Sequence, residues 1–156
     1  MTPESLAALH ARAMDVPGPW SVRDFSDLLA SPGVFLAEPH QHHLALRGKM
    51  PDRASPRLRG FALGRTASDA AELLTIAVDP GHRRQGIGLA CCAAFEAAAK
   101  SRGAVRAFLE VAATNEAAQR LYLASGWSRH GCRQAYYRTP SGRVDAVLMS
   151  KRLVEI

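Results

Sequence analysis

The most constraining stretch of the 156-residue chain is LLTIAVDPGHRRQGIGL, Leu73 to Leu89. Thr75, Ile76 and Val78 are β-branched and favour a strand. Asp79-Pro80-Gly81 ends it with turn-forming residues. A basic loop with two glycines follows, and then an alanine-rich segment that reads as a helix to about Lys100. Gly86 and Gly88 carry no side chain to obstruct a ligand approaching the backbone. A helix starting there aims its partly positive N-terminus at the same spot. Arg83 and Arg84 add full charges. Strand, turn, loop and helix together suit a pyrophosphate and place the chain in the α/β class.

Two familiar phosphate loops do not fit. The dinucleotide fingerprint needs a third glycine where Cys91 stands, and no Gly-Lys-Ser/Thr follows for a Walker loop. What fits is R-x-x-G-x-G, Arg83 to Gly88. The net charge of +6 and the pI of about 9.8 also favour anionic partners such as a phosphorylated cofactor. No aromatic-interleaved basic ribbon supports direct nucleic-acid recognition. Cys91, Cys92 and Cys132 form neither a metal spacing nor a C-x-x-C pair, and their odd number without a secretory signal points to the cytoplasm. His40, His42 and His43 lie in an irregular basic loop, Glu38 to Leu58, with no carboxylate or cysteine to complete a site, so no metal is expected. Glu96 and Lys100 interrupt the longest apolar run, which excludes a membrane-spanning helix.

The remaining chain reads as one domain over residues 1–156. Thr2 and Pro3 open a first helix, and Ser21 with Asp24 caps a second. Val34 to Ala37 is a short strand, Leu44 to Leu46 a possible further one, and Arg59 to Thr66 another. The central strand spans Glu72 to Val78. Val105 to Val111 forms the next strand, and Asn115 caps a helix that Gly126 stops. Trp127 to Arg138 and Val144 to Leu153 form a strand pair joined by a turn. This order predicts a mixed sheet flanked by helices.

A second constellation is LEVAATNEAAQRLYLASGW, Leu109 to Trp127. Glu110 is a carboxylate within an apolar strand, and Tyr122 lies in mid-helix. Singly they read as an edge glutamate and a half-buried aromatic. Together with R-x-x-G-x-G upstream, L-E-V-x-x-x-N-x-x-A-x-x-L-Y-x-x-x-G-W resembles the GNAT-type N-acetyltransferase superfamily. LLTIAVDP, the early Pro19-Trp20-Ser21 and the late Y-Y-x-T-P-x-G-R-x-D-A, Tyr136 to Ala146, resemble its RimI type, which acetylates the N-terminal alanine of a small-subunit ribosomal protein.

The resemblance implies an acyl-CoA N-acyltransferase fold with a mostly antiparallel central sheet whose two middle strands splay apart. It implies acetyl-CoA as cosubstrate, no metal, and direct transfer without an acyl-cysteine. Backbone of Ile76, Ala77 and Val78 would bind the pantetheine arm like an added strand, and a backbone N–H there would stabilise the oxyanion. Arg83, Arg84, Gln85, Gly86, Ile87, Gly88 and Leu89 would hold the pyrophosphate, with Asn115 on the pantetheine or diphosphate side. Glu110 would be the general base, directly or through a water, and Tyr122 would protonate the departing thiolate. Trp20, Tyr136 and Tyr137 would lie on the peptide side. The implied acceptor is a protein N-terminus, most readily a ribosomal one. Another protein N-terminus or a small-molecule amine is the alternative. A sensor of acetyl-CoA without turnover, or a module docking its 38–58 loop on the ribosome, are readings of a different class. Two features depart from the resemblance. The chain begins at the first helix, where the family has a strand. Val144 stands where the RimI type often has glutamate.

Overall fold

The computed structural model describes residues 1–39 and 59–155. The expected strand at Leu44 to Leu46 and the three loop histidines lie outside that range. Among the described residues, helices α1 (Pro3–Ala13) and α2 (Val22–Ala30) come first. Each begins with a reciprocal capping box, Thr2 with Ser5 and Ser21 with Asp24, which satisfies first-turn amides that the helix itself cannot. Strands β1 (Val34–Ala37), β2 (Gly60–Ala67) and β3 (Ala70–Val78) follow, then α3 (Ile87–Ser101), β4 (Arg106–Ala112), α4 (Glu116–Ala124), β5 (Ser128–Thr139) and β6 (Gly142–Arg152). No strand precedes α1 among the described residues. No described helix is long and apolar enough to cross a membrane.

The six strands form one sheet in the order β1-β2-β3-β4-β6-β5. Every pairing is antiparallel except β3 with β4. This is the mixed, mostly antiparallel sheet expected from the sequence. One face packs on α3 through Leu73, Cys91, Cys92, Phe95, Leu109, Val111, Tyr122, Trp127 and Met149. The other packs part of its width on α1 and α2 through Leu6, Leu9, Phe25, Phe61, Leu63 and Ala77. α3 lies close because β2 offers it a glycine. A Cβ at Gly60 would stand 2.7 Å from Ile87 Cγ2 and 3.1 Å from the Ala77 carbonyl oxygen.

Strand β3 changes face along its length. Its register with β2 runs Leu63↔Thr75 and then Gly64↔Leu73, so Leu74 is one residue too many. Before this bulge Ala71 and Leu73 face α3. After it Ile76 and Val78 take that side, while Thr75 and Ala77 face α1 and α2.

His10 bridges α1 to this strand. It is fully buried, its Nδ1 accepts the Trp20 amide at 3.0 Å, and its Nε2 is 3.1 Å from Thr75 Oγ1. With Nδ1 accepting, Nε2 carries the proton and donates to Thr75. The ring stacks on Trp20 at 4.9 Å and meets Phe25 edge-on at 5.3 Å. Burial pushes its pKa down to about 4 from 6.5. Between those values the unfolded chain binds a proton that the folded chain does not. Stability from this group is therefore complete above pH 6.5 and falls as pH drops towards 4, by about 3 kcal/mol in all. Denaturant midpoints followed across this window are expected to decline in the wild type, and His10→Gln is expected to remove that part of the decline.

Candidate active site

The bulge in β3 prepares the central feature of the site. β3 and β4 pair as parallel neighbours only from Ala70↔Arg106 to Glu72↔Phe108. Beyond Leu73 the two strands diverge, where the extra residue bends β3. An opening therefore lies between Leu73–Val78 and Leu109–Ala112. Its β3 side can be read from ladder alternation. The Asp79 amide donates to Arg59 O at 2.8 Å across the β2 pairing. Two residues back, Ala77 then also turns its backbone to β2, and Ile76 and Val78 turn theirs to the opening.

The loop after β3 is held from below. Asp79 Oδ1 accepts the Gly81 amide at 2.9 Å, and Oδ2 meets Arg12 of α1 at 3.2 Å. The Gly81 amide first, and Arg12 after it, hold this carboxyl below its usual range. Arg84 (φ +64°) and Gly86 (φ +80°) are both left-handed. Backbone turns of this kind build anion-binding concavities from successive amides. Gly86 is the N-cap of α3 and provides no side-chain cap, whereas side chains cap α1, α2 and α4. The first-turn amides of α3 therefore keep donors available for an anion. Gly88 lets this turn approach α4, since a Cβ there would stand 3.1 Å from Leu121 Cδ2. Ile87 is buried in the α3 core, so it offers the loop backbone rather than side chain. Gln85 and Leu89 are half-buried beside it.

Arg83 and Asn115 each make a contact within the chain. Arg83 turns back to α1, where its Nη2 donates to the Ala13 carbonyl at 3.2 Å. Asn115 caps α4, with its Oδ1 accepting the Ala118 amide at 3.1 Å. Arg83 thus braces the loop, and Asn115 shapes the far lip of the opening at the end of β4.

Glu110 and Tyr122 lie on opposite sides of the sheet. Glu110 points away from α3, 26% exposed, with Arg133 Nε 3.1 Å from its Oε1. It borders a groove of about 270 Å³ shared with Glu72, Phe108, His130, Arg133 and Leu148. Tyr136 reaches the same carboxylate, and Tyr137 stands in its field. The Glu110 charge raises the Tyr136 hydroxyl above its ordinary value. Burial, then the same charge, pushes Tyr137 up to about 12. Tyr122 is buried on the α3 side, its ring 6.1 Å from Trp127. Burial raises its hydroxyl far above neutrality, so it stands as a protonated phenol. The neighbouring thiols are equally neutral, since burial raises Cys91 strongly and Cys92 to about 11. Neither suits an acyl carrier, which needs a thiolate.

Trp20 belongs to a different environment. Its ring packs between His10 and Phe25, and it is not among the residues lining the groove at Glu110. Sequence reasoning missed Arg133. Its only cue was the cationic character of β5, which carries no acid of its own to pair with. The Leu74 bulge left no cue, because an extra leucine in an apolar strand breaks no pattern.

The chain is similar to known proteins. The profile of the acetyltransferase (GNAT) family matches residues 6–127. The [ribosomal protein bS18]-alanine N-acetyltransferase of Escherichia coli K12 is 38% identical over 94 residues, 60% of this chain and 64% of that protein. The chain thus spans just under two thirds of that relative's length. The Salmonella typhimurium protein of the same name is 31% identical over 137 residues, 87% of this chain and 90% of its own. The crystal structure of the ribosomal-protein-S18-alanine N-acetyltransferase from Escherichia coli superposes with a TM-score of 0.79 at 27% identity, covering 99% of this chain and 89% of that one.

Proposed function

The chain belongs to the acetyltransferase (GNAT) family, and on that basis we propose that it transfers the acetyl group of acetyl-CoA to the N-terminal α-amine of a protein. The observation that carries this reading is the opening between β3 and β4, with Glu110 on one face, Tyr122 on the other and the uncapped N-terminus of α3 at its end. Bound acetyl-CoA supplies an activated thioester carbonyl and a thiolate leaving group. Everything else falls to the chain. Ile76 and Val78 extend ladder hydrogen bonds to an arm lying in the opening. The backbone from Arg84 to Leu89 and the α3 N-terminus hold the pyrophosphate. Glu110 accepts a proton from the attacking amine, and Tyr122 gives one up from its hydroxyl on the thiol side.

An α-amine suits this arrangement better than a lysine. With a pKa near 8, about a quarter of α-amines are uncharged at pH 7.5, against about one in a thousand for lysine at 10.4. The carboxylate then does its main work during attack, when the bonded nitrogen must shed its proton. Among protein N-termini, the alanine of a small-subunit ribosomal protein is the first choice, because the relatives at 31–38% identity are named for that reaction. The acceptor would lie in the groove bordered by Glu110, with Tyr136 and Tyr137 beside its terminus. Val144 opposes Tyr137 at that end, and an uncharged residue there weakens any preference for a basic second position.

Purified protein mixed with acetyl-CoA and a peptide beginning Ala-Arg-Tyr is expected to add one acetyl group at the α-amine, read by fragment mass spectrometry. The same peptide with a blocked N-terminus should stay unmodified. Transfer to polyamines with none to the free peptide would move the assignment to small-molecule amines.

A further inference from the structure

Strand β5 contains a second irregularity, at the groove rather than at the opening. Between the pairs Arg133↔Ala146 and Tyr137↔Val144, three β5 residues stand against Asp145 alone. The middle one, Ala135, has φ +51°, a region that alanine seldom adopts. Both its backbone polar groups go to side chains of β6. The amide donates to Asp145 Oδ1 at 2.7 Å, and the carbonyl accepts from Arg143 Nη1 at 3.3 Å. Asp145 is also tied to the residue just after β4, because its carbonyl accepts the Ala113 amide at 2.8 Å. One residue thus links the bulge to the end of the strand that carries Glu110.

The bulge decides which side chains reach Glu110. In an unbroken strand Tyr136 and Tyr137 would point to opposite faces. Here both stand within reach of the Glu110 charge, and their rings meet edge to face at 5.0 Å. Arg133, on the other side of the bulge, lies over the Tyr136 ring at 5.3 Å and pairs with Glu110 at 3.1 Å. Arg133 and Tyr137 share the Glu110 face through their partners Ala146 and Val144, and the irregular backbone between them brings Tyr136 to the same carboxylate.

We propose that Asp145 is a positioning residue for the acceptor side of the site, holding Ala135 in its left-handed conformation and so fixing Arg133, Tyr136 and Tyr137 around Glu110. It acts through those residues and touches no reacting atom. The proposal rests on the acetyl-transfer reading above.

Four forms of the full chain test it: wild type, Asp145→Ala, Asp145→Asn and the double variant Asp145→Ala with Ala135→Gly. Each is assayed with acetyl-CoA and the Ala-Arg-Tyr peptide, and acetyl-CoA affinity is measured by calorimetry. Asp145→Ala is expected to raise the peptide KM about tenfold while the acetyl-CoA Kd stays within about twofold. Asparagine keeps an oxygen that accepts the Ala135 amide, so Asp145→Asn should fall between. Glycine adopts a positive φ without strain, so the double variant should recover most of the loss. A merely structural role would lower acetyl-CoA affinity in parallel and would not be repaired by removing one methyl group. An unchanged peptide KM in Asp145→Ala, or a parallel loss of cofactor affinity that glycine leaves in place, overturns the proposal. If the wild type acetylates no peptide, the functional reading fails instead. Amide NMR then decides the positioning role: Asp145→Ala should shift the Tyr136 and Tyr137 resonances, and unmoved resonances would overturn it.

Discussion

Tyr122→Phe is expected to lower kcat by about a hundredfold or more while leaving acetyl-CoA affinity within about twofold. The substitution removes one oxygen and keeps the ring, so packing against Trp127 in the α3 core is preserved. The lost group is a buried phenol whose proton is held far above neutral pH. Pre-steady-state mixing would separate the effect on transfer from one on product release. Unchanged turnover would remove Tyr122 from the chemistry and leave it as a core aromatic.

Glu110→Gln should show a loss of similar or greater size, about a hundredfold to ten-thousandfold at pH 7. Glutamine can accept a hydrogen bond but cannot take a proton. At most about tenfold of that loss should recede as pH rises past 8, because about one α-amine in ten is already uncharged at pH 7 and most are above 8. A constant loss at all pH values would mean that Glu110 plays no part in removing the ammonium proton before attack. The substitution also breaks the ion pair with Arg133. Arg133→Gln is therefore the control that separates loss of the pair from loss of the base.

The parts of the site legible from sequence are those built by local chemistry. Ser21 with Asp24, Asn115 at the start of α4 and Gly86 at the start of α3 each act within four residues, and each stands where its residue type predicts. The apolar and polar residues of β4 also alternate, which puts Leu109 and Val111 on one face and Glu110 on the other. What stayed hidden depends on comparing two strands. The Leu74 bulge exists only relative to β2, and the Ala135 bulge only relative to β6. Ala135 is especially opaque, because glycine usually marks a left-handed turn and alanine does not. The partners of Arg83 and Trp20 were hidden for a related reason. Both are claimed by α1, which is distant in sequence from the loop that Arg83 belongs to.

The placement of Glu110 and Tyr122 on opposite faces of the sheet has a consequence for traffic. On the proposed reading, the amine and the coenzyme approach from different sides of one wall and meet only in the gap between β3 and β4. Neither has to leave before the other enters, and the modified chain and the spent thiol depart by separate exits. The acceptor side can then diversify its grip, through groups such as Tyr136 and Val144, without disturbing the half of the protein that holds the coenzyme. One donor pocket could in this way serve different acceptors in different relatives.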